Sequence, residues 1–300
     1  MIILRGGVAM RVDVELILLL LSPLFLLIIG VEYLHWRRKR RADVYNLRDS
    51  LCNASLGLMH QGADKLAWAA TLPLFQWIYL HHRLLDLPTG AGGTALLFLL
   101  QDLLYYGFHR ASHRVRWLWA AHSVHHSSTR MNFSTALRQS LMYPVAGMWA
   151  FWLPLAWIGF RPQQIVAVVL LNLAFQFFVH TRLCASLGPL EYVFNTPAIH
   201  RCHHARNPGY IDSNYAGVLV IWDRMFGSFV AERAEEPCIF GTVKPVPSFN
   251  PITVTFNEWR DMLRELRQAS GWRNRFALLF APPERAQAIA RQFESGQPSR

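Results

Sequence analysis

The sequence predicts an all-α, polytopic membrane protein, with about four to five transmembrane helices under a histidine-rich cytoplasmic helical cap. Three observations lead there. Only 16% of the 300 residues are charged, against about 25% in an ordinary soluble domain. The apolar residues lie in runs near spanning length. Of thirteen histidines, nine fall between His109 and His204, and two of those groups start directly behind an apolar run.

The elements follow in order. Leu16 to Leu34 is almost wholly apolar and predicts a first span. Trp36 marks an interface, and the basic run Arg37 to Arg41 places its end in the cytoplasm. Ala42 to Lys65 is mixed and reads as an interfacial or partly embedded helix. Leu66 to Leu80 is a second, short span candidate that ends before the loop chemistry of "LPTGAGG". Thr94 to Phe108, Leu141 to Phe160 and Ile165 to Val179 are the third, fourth and fifth, with a tight return at "RPQQ". Beyond residue 180 the chain is polar enough to be aqueous. Asn257 to Gln268 has an amphipathic helical pattern with Asn257 as its N-cap. "APPERAQ" predicts a proline-led last helix, and the tail from Ser295 reads as disordered. The expected division is an integral-membrane domain over 1–240 and a C-terminal helical extension over 241–300. No cleavable signal peptide is apparent, and Met10 is an alternative start.

Net charge is +11. The densest basic run follows an apolar run and no nucleic-acid motif accompanies it, so orientation in a membrane explains it better than a nucleic-acid partner. Cys52, Cys184, Cys202 and Cys238 form no CxxC pair, which disfavours a disulfide framework or a thiolate zinc site. Following the spans through, His109 and His180 emerge on the same side, the cytoplasmic one.

The histidines fall as H-x-x-x-H (His109, His113), H-x-x-H-H (His122, His125, His126), a lone His180, and a second H-x-x-H-H (His200, His203, His204). On a helix, i and i+4 share a face. His109 and His113 can therefore aim at one point. In each triplet the first and last share a face while the middle one lies about 100° round from the last. One triplet can thus serve one metal with two rings and a neighbouring metal with the third. The set exceeds what one ion accepts, so the most direct reading is a dinuclear centre ligated by all nine. Imidazole suits iron, zinc, copper and nickel. The absence of H-E-x-x-H disfavours a zincin, and the absence of paired E-x-x-H motifs disfavours a carboxylate-bridged di-iron bundle. A nitrogen-rich pair at a membrane surface suits O₂ activation by two irons, with zinc left open. His35, His60, His81 and His82 read as interfacial side chains.

This order of motifs resembles the fatty acid hydroxylase and sterol desaturase superfamily. The segments "NLRDSLCNASLGLMHQG", "HRASHRVRWLWAAHSVHHSS" and "HRCHHARNPGYIDSNYAGVLVIWDRMFGSF" are similar to its alkylglycerol monooxygenase branch, over most of Asp43 to Phe240. The resemblance implies a histidine-ligated di-iron enzyme using O₂ and two electrons on a lipid C–H bond. Its branch implies ether-lipid cleavage with a tetrahydropterin as reductant. The competing readings are a hydroxylase or desaturase of fatty acyl, sterol or carotenoid chains and, from another class, a non-catalytic membrane metal-binding protein. Some fatty acid hydroxylases carry a further histidine where Gln176 stands, so nine ligands are expected rather than ten. Asp102, Gln176, Asp212, Asn214 and Asp223 are the candidates to orient ligand rings. Asp223 could instead pair with Arg224 or another cation. Arg110, Arg114 and Arg116 read as lipid-headgroup contacts. Arg138 is expected to hold a substrate phosphate or to fix its loop. Trp117, Trp119, Trp149, Trp152 and Trp157 read as interfacial belt and packing. No G-x-G-x-x-G or P-loop is present, so electrons come from an external reductant, a donor protein or a pterin.

Overall fold

The structure, a computed structural model, describes residues 14–88 and 90–294. The alternative start at Met10 and the tail from Ser295 lie outside the described residues. All named elements among them are helical, joined by two isolated β-bridges, Phe194 with Leu219 and Ala205 with Phe240.

The first apolar run is α1 (Val14–Arg38). Its stretch Leu20–Arg38 is, among the described residues, the one helix both long and apolar enough to cross a membrane. Leu20, Leu26 and Leu27 are exposed on it. The interfacial helix and the second span candidate form one continuous helix, α2 (Leu47–His82). Asn46 starts it, its side-chain oxygen accepting from the Arg48 and Asp49 amides. The third run is α3 (Ala91–Arg114), which continues through His109 and His113. At Val115 the backbone turns extended, φ −122°. The chain then starts α4 (Arg116–His126), which packs back against α3.

The fourth apolar run is not one helix. It breaks into α5 (Tyr143–Ala146), a 3-10 turn over Met148–Trp152, and α6 (Leu153–Ile158). Gly147 sits between the first two at φ 89°, a left-handed conformation that suits glycine. Pro144 and Pro154, each in a first helical turn, punctuate the pieces. The "RPQQ" return forms as expected, with Arg161 capping α7 (Pro162–Phe177). Leu97 and Phe108 of α3, Leu155 of α6, Ile165 and Val168 of α7, Phe75 of α2 and the buried Trp152 make the largest apolar core. Trp152 is thus packing rather than belt, while Trp157 is half exposed.

After the short α8 (Pro197–His203) and α9 (Ile221–Met225), the C-terminal helices are α10 (Pro251–Gln268), α11 (Trp272–Phe280) and α12 (Pro283–Glu294). The proline-led start of α12 is as expected. The N-cap of α10 is Asn250, whose side chain accepts from Ile252 and Thr253, and not Asn257, which lies inside the helix. Both are asparagines, a favoured cap residue; Pro251 at the first helical position decides for the earlier one. α10 lays Trp259 and Met262 on Ala120 and Ala121 of α4 and on Tyr143. Trp117 packs edge-on to Trp259 at 4.8 Å, inside this contact.

Candidate metal centre

Four elements bring the nine histidines together. α3 supplies His109 and His113, one turn apart. α4 supplies His122, His125 and His126. His180 follows the end of α7, and α8 with its C-cap supplies His200, His203 and His204. All nine are buried. They divide into two groups, each with its ligand nitrogens within 4.8 Å of one another: His109, His113, His122, His126 and His203; and His125, His180, His200 and His204. Each triplet is split as the helical spacing demands, first and last to one group and the middle residue to the other.

The protonation pattern favours a cation in each group. His109 Nδ1 lies 2.9 Å from the Tyr215 carbonyl and His203 Nδ1 lies 2.9 Å from the Ser213 carbonyl. His125 Nδ1 faces the Arg138 carbonyl at 3.0 Å, and His180 Nδ1 the Gln176 carbonyl at 2.6 Å. A carbonyl only accepts, so these four Nδ1 atoms carry the proton. In a neutral ring, Nε2 is then a bare lone pair. Burial pushes His125 down to about 4 and His203 down to about 3, so both are neutral at pH 7. Yet His125 Nε2 stands 3.1 Å from His180 Nε2. In the other group His203 Nε2 stands 3.2 Å from His126 Nε2, and His109 Nε2 3.0 Å from His122 Nε2. In the His125–His180 pair both Nε2 atoms are lone pairs, and facing at that distance they repel unless a cation lies between them. Nitrogens each ~2.1 Å from one metal and at right angles would be ~3.0 Å apart. His113 Nε2 is buried with no hydrogen-bond partner, as a ligand atom would be. The residues therefore fit a pair of metal ions, and an all-imidazole donor set suits iron and zinc alike.

None of the five polar residues expected to orient the rings places its side chain on a histidine; their contacts lie on the backbone and side chains around the ligands. Asp102 accepts from the Val218 and Leu219 amides, from Trp222 Nε1 and from Asn172. Asp223 accepts from the Tyr215 and Ala216 amides and from Ser228, rather than pairing with Arg224. The two carboxylates thus hold residues 215–219 from both sides, and the Tyr215 carbonyl within that stretch meets His109. Asp212 and Asn214 both have left-handed φ, 60° and 57°, a region that Asn and Asp tolerate better than other side chains. Between them the Ser213 carbonyl is aimed at His203. Asn214 also ties the Ile199 and Val230 carbonyls, and Asp212 pairs with Arg114. Gln176 offers its backbone carbonyl to His180, while its side chain bonds Tyr105 and Asn172. Tyr143, whose hydroxyl lies 2.8 Å from His122 Nδ1, and the carbonyls of Arg138, Ser213 and Tyr215 were not legible as partners. Every residue carries a carbonyl, so no residue type signals one.

Arg116 and Arg138 are structural. Arg116 is fully buried and pairs with Glu258 and Glu265 of α10, which corrects the headgroup expectation; Arg114 pairs with Asp212 and Glu284. Arg110 donates to Tyr106. Of the two readings of Arg138, loop fixation holds: it donates to Val124, Ser127, Asp49 and Asn53 and closes the end of α4. Trp119 is no belt residue, since its ring lies 5.2 Å from His113. His60 bonds the Ser140 carbonyl with its ring 5.7 Å from that of Tyr143, and His82 packs on Trp77. Cys202, between two ligands, is a buried filler against Ala205 and Tyr210.

Comparison with known proteins agrees with this arrangement. The family model for fatty acid hydroxylase matches residues 94–228. The chain is 40% identical to the human alkylglycerol monooxygenase over 79% of its own length and 53% of the relative's. It is 37% identical to the Xenopus tropicalis alkylglycerol monooxygenase over 86% of its length and 57% of the relative's. An ornithine lipid hydroxylase of Rhizobium tropici is 26% identical, over 64% of this chain and 54% of that protein. The chain spans about half the length of these curated relatives. No solved structure matches it significantly. Residues 94–228 thus form a domain of the fatty acid hydroxylase family, in a chain similar to alkylglycerol monooxygenases over most of its own length.

Proposed function

We propose that this protein is an integral-membrane, two-iron monooxygenase that uses O₂ to hydroxylate a lipid C–H bond, at a carbon next to an ether oxygen. The observation that carries it is the pair of buried imidazole groups, in one of which the Nε2 lone pairs of His125 and His180 face one another where a cation would sit. Bound iron would supply O₂ reduction and attack on an unactivated C–H bond, chemistry that side chains alone do not perform. The chain's own part is to fix the rings: carbonyls of Tyr215, Ser213, Arg138 and Gln176 hold four tautomers, and Tyr143 holds a fifth ring. A hydroxyl placed beside an ether oxygen gives a hemiacetal, which collapses to an aldehyde and an alcohol. A two-electron reductant, for which a tetrahydropterin or a donor protein is the candidate, completes the balance.

The same reading places α1, α2 and α3 across the bilayer. At 1.5 Å per residue, α3 is about 36 Å long and α7 about 24 Å, against a hydrocarbon core of ~30 Å. The pieces from 143 to 177 can then dip and return as a hairpin rather than cross twice. Either way the parity is the same, and His109 and His180 reach one side, the cytoplasmic one. Residues 1–240 form the membrane domain in this reading, and 241–300 an extension over α4.

The test is lipid analysis of cells with and without the protein under isotope-labelled O₂, paired with metal analysis of the purified chain. Labelled oxygen in the aldehyde released from ether lipids, with an unlabelled alcohol co-product and close to two irons per chain, is the expected result. Label in intact acyl, sterol or carotenoid chains would move the activity to the competing hydroxylases. A folded chain with metal and no lipid oxidation would leave only metal binding.

A further inference from the structure

α11 turns a stripe of aromatic rings outward. Trp272, Phe276 and Phe280 are 73%, 59% and 43% exposed. Their i, i+4, i+8 spacing keeps them on one side of the helix. Phe276 and Phe280 touch, with ring centroids 4.8 Å apart. Leu278, on the far side, is buried against Ala269, Ala286 and Ala290. The helix is therefore packed on one side, and all three of its aromatic rings are on the open one.

At about 100° per residue, Arg273 flanks one edge of the stripe and Arg275 the other. Both are exposed. Arg273 leans over the Trp272 ring, 5.6 Å from its centroid, and Arg275 donates to the Ala269 carbonyl. Neither has a carboxylate partner among the described residues. Rings between arginines suit a helix lying in a bilayer surface. The rings enter the acyl boundary, and the long basic stems reach back to phosphate. A second copy of the chain fits less well. A face paired with itself would bring the same arginines together, and like charges across a contact are costly.

The placement of α11 favours the same occupant. Leu279 packs against the cluster that holds Tyr143 and Ala146. Met148 joins that cluster to the largest apolar core. These residues open the apolar run that enters the bilayer in the proposed topology. Leu279 lies about 20° round from Trp272, so the stripe adjoins the face that meets this run. In that topology α11 lies where the chain passes between membrane and cytoplasm.

We infer that α11 is an in-plane anchor: Trp272, Phe276 and Phe280 enter the cytoplasmic surface of the bilayer, and Arg273 and Arg275 bind anionic lipid phosphates. The inference rests on the integral-membrane reading of the chain. α11 lies beyond residue 228, where the match to the family model ends. Its cluster includes Ala120 and Ala121 of α4, so the anchor ties the bilayer surface to a helix that carries three of the histidines.

The experiment puts an environment-sensitive fluorophore on Phe276→Cys, in a chain that also carries Cys184→Ser and Cys238→Ser. Leu26→Cys on α1 is the membrane reference and Lys244→Cys the water reference. Each full chain goes into vesicles of phosphatidylcholine with a minority of phosphatidylglycerol. Brominated acyl chains should quench the probe at 276 as they do that at 26. Aqueous iodide should quench only the probe at 244. Quenching at 276 by iodide and not by bromine, with 26 still quenched by bromine, overturns the inference and leaves the membrane reading standing. No bromine quenching at 26 removes the membrane reading and the inference with it. A probe at 276 shielded from both quenchers, in a chain that cross-links to a second copy there, overturns the inference and gives the stripe to a dimer. Adding Arg273→Gln and Arg275→Gln should lower the docked-to-free ratio roughly fivefold per arginine. An unchanged ratio overturns the pairing with lipid phosphate.

Discussion

Tyr143 touches the centre through one atom, its hydroxyl, 2.8 Å from His122 Nδ1. Tyr143→Phe keeps the ring and removes that bond. Loss of a partner behind a metal ligand typically weakens metal binding about 10- to 100-fold. A competition titration with a chelator should find that loss, and full iron retention would contradict the ligand assignment of His122. Gly217 is constrained by space instead. A Cβ there would sit 2.8 Å from Asn172 Oδ1 and from a Tyr105 ring carbon, and 3.0 Å from Asp102 Oδ1. Gly217→Ala should therefore cost about 1–3 kcal/mol by overpacking, read as a lowered Tm in detergent. At this scale the sequence was legible where residue type and chemistry coincide. Nine histidines at i, i+3 and i+4 spacing announce themselves. Asp102 was legible as a buried carboxylate in an apolar helix, but not that its partners are the amides of Val218 and Leu219, more than a hundred residues away.

The element that carries the first triplet is held from outside the family domain. α4 has Ala120 and Ala121 under α10, and its first residue, Arg116, is clasped by Glu258 and Glu265. Burial raises the Glu258 carboxyl, and Arg116 opposes that shift. Arg116→Met should strand two buried carboxylates and cost about 3–5 kcal/mol. Thermal unfolding checks this, and adding Glu258→Gln and Glu265→Gln should recover part of the loss. No recovery would show that the charges are not the cause. The start of α12 was legible because Pro283 has one favourable place in a helix. The start of α10 was misplaced by seven residues because two asparagines compete as caps. Residues 141–160 read as one span by hydropathy, yet Pro144, Gly147 and Pro154 divide them. Mean hydropathy does not register where a backbone can continue.

For the whole molecule, the question is which side of the membrane carries the histidines. In the proposed topology the histidines lie on the cytoplasmic face whether the chain from 143 to 177 crosses twice or dips and returns. Cys202 and Cys52 are buried and poor reporters. A Lys244→Cys variant puts a thiol on an exposed loop. A membrane-impermeant maleimide should label it only after the cells are opened. Labelling of intact cells from outside, above the variant-free background, would reverse the topology.

The sequence by itself determined the helical class, the nine imidazoles and their division within each triplet, because helical periodicity alone fixes which side chains share a face. It also carried the family, because the motif order survives in the chain as written. The tertiary structure decided what lies between those motifs. It chose the carbonyls that hold four of the tautomers and tied α4 to the C-terminal helices. Those contacts join residues far apart in the chain through backbone groups that every residue shares, so no local pattern could specify them.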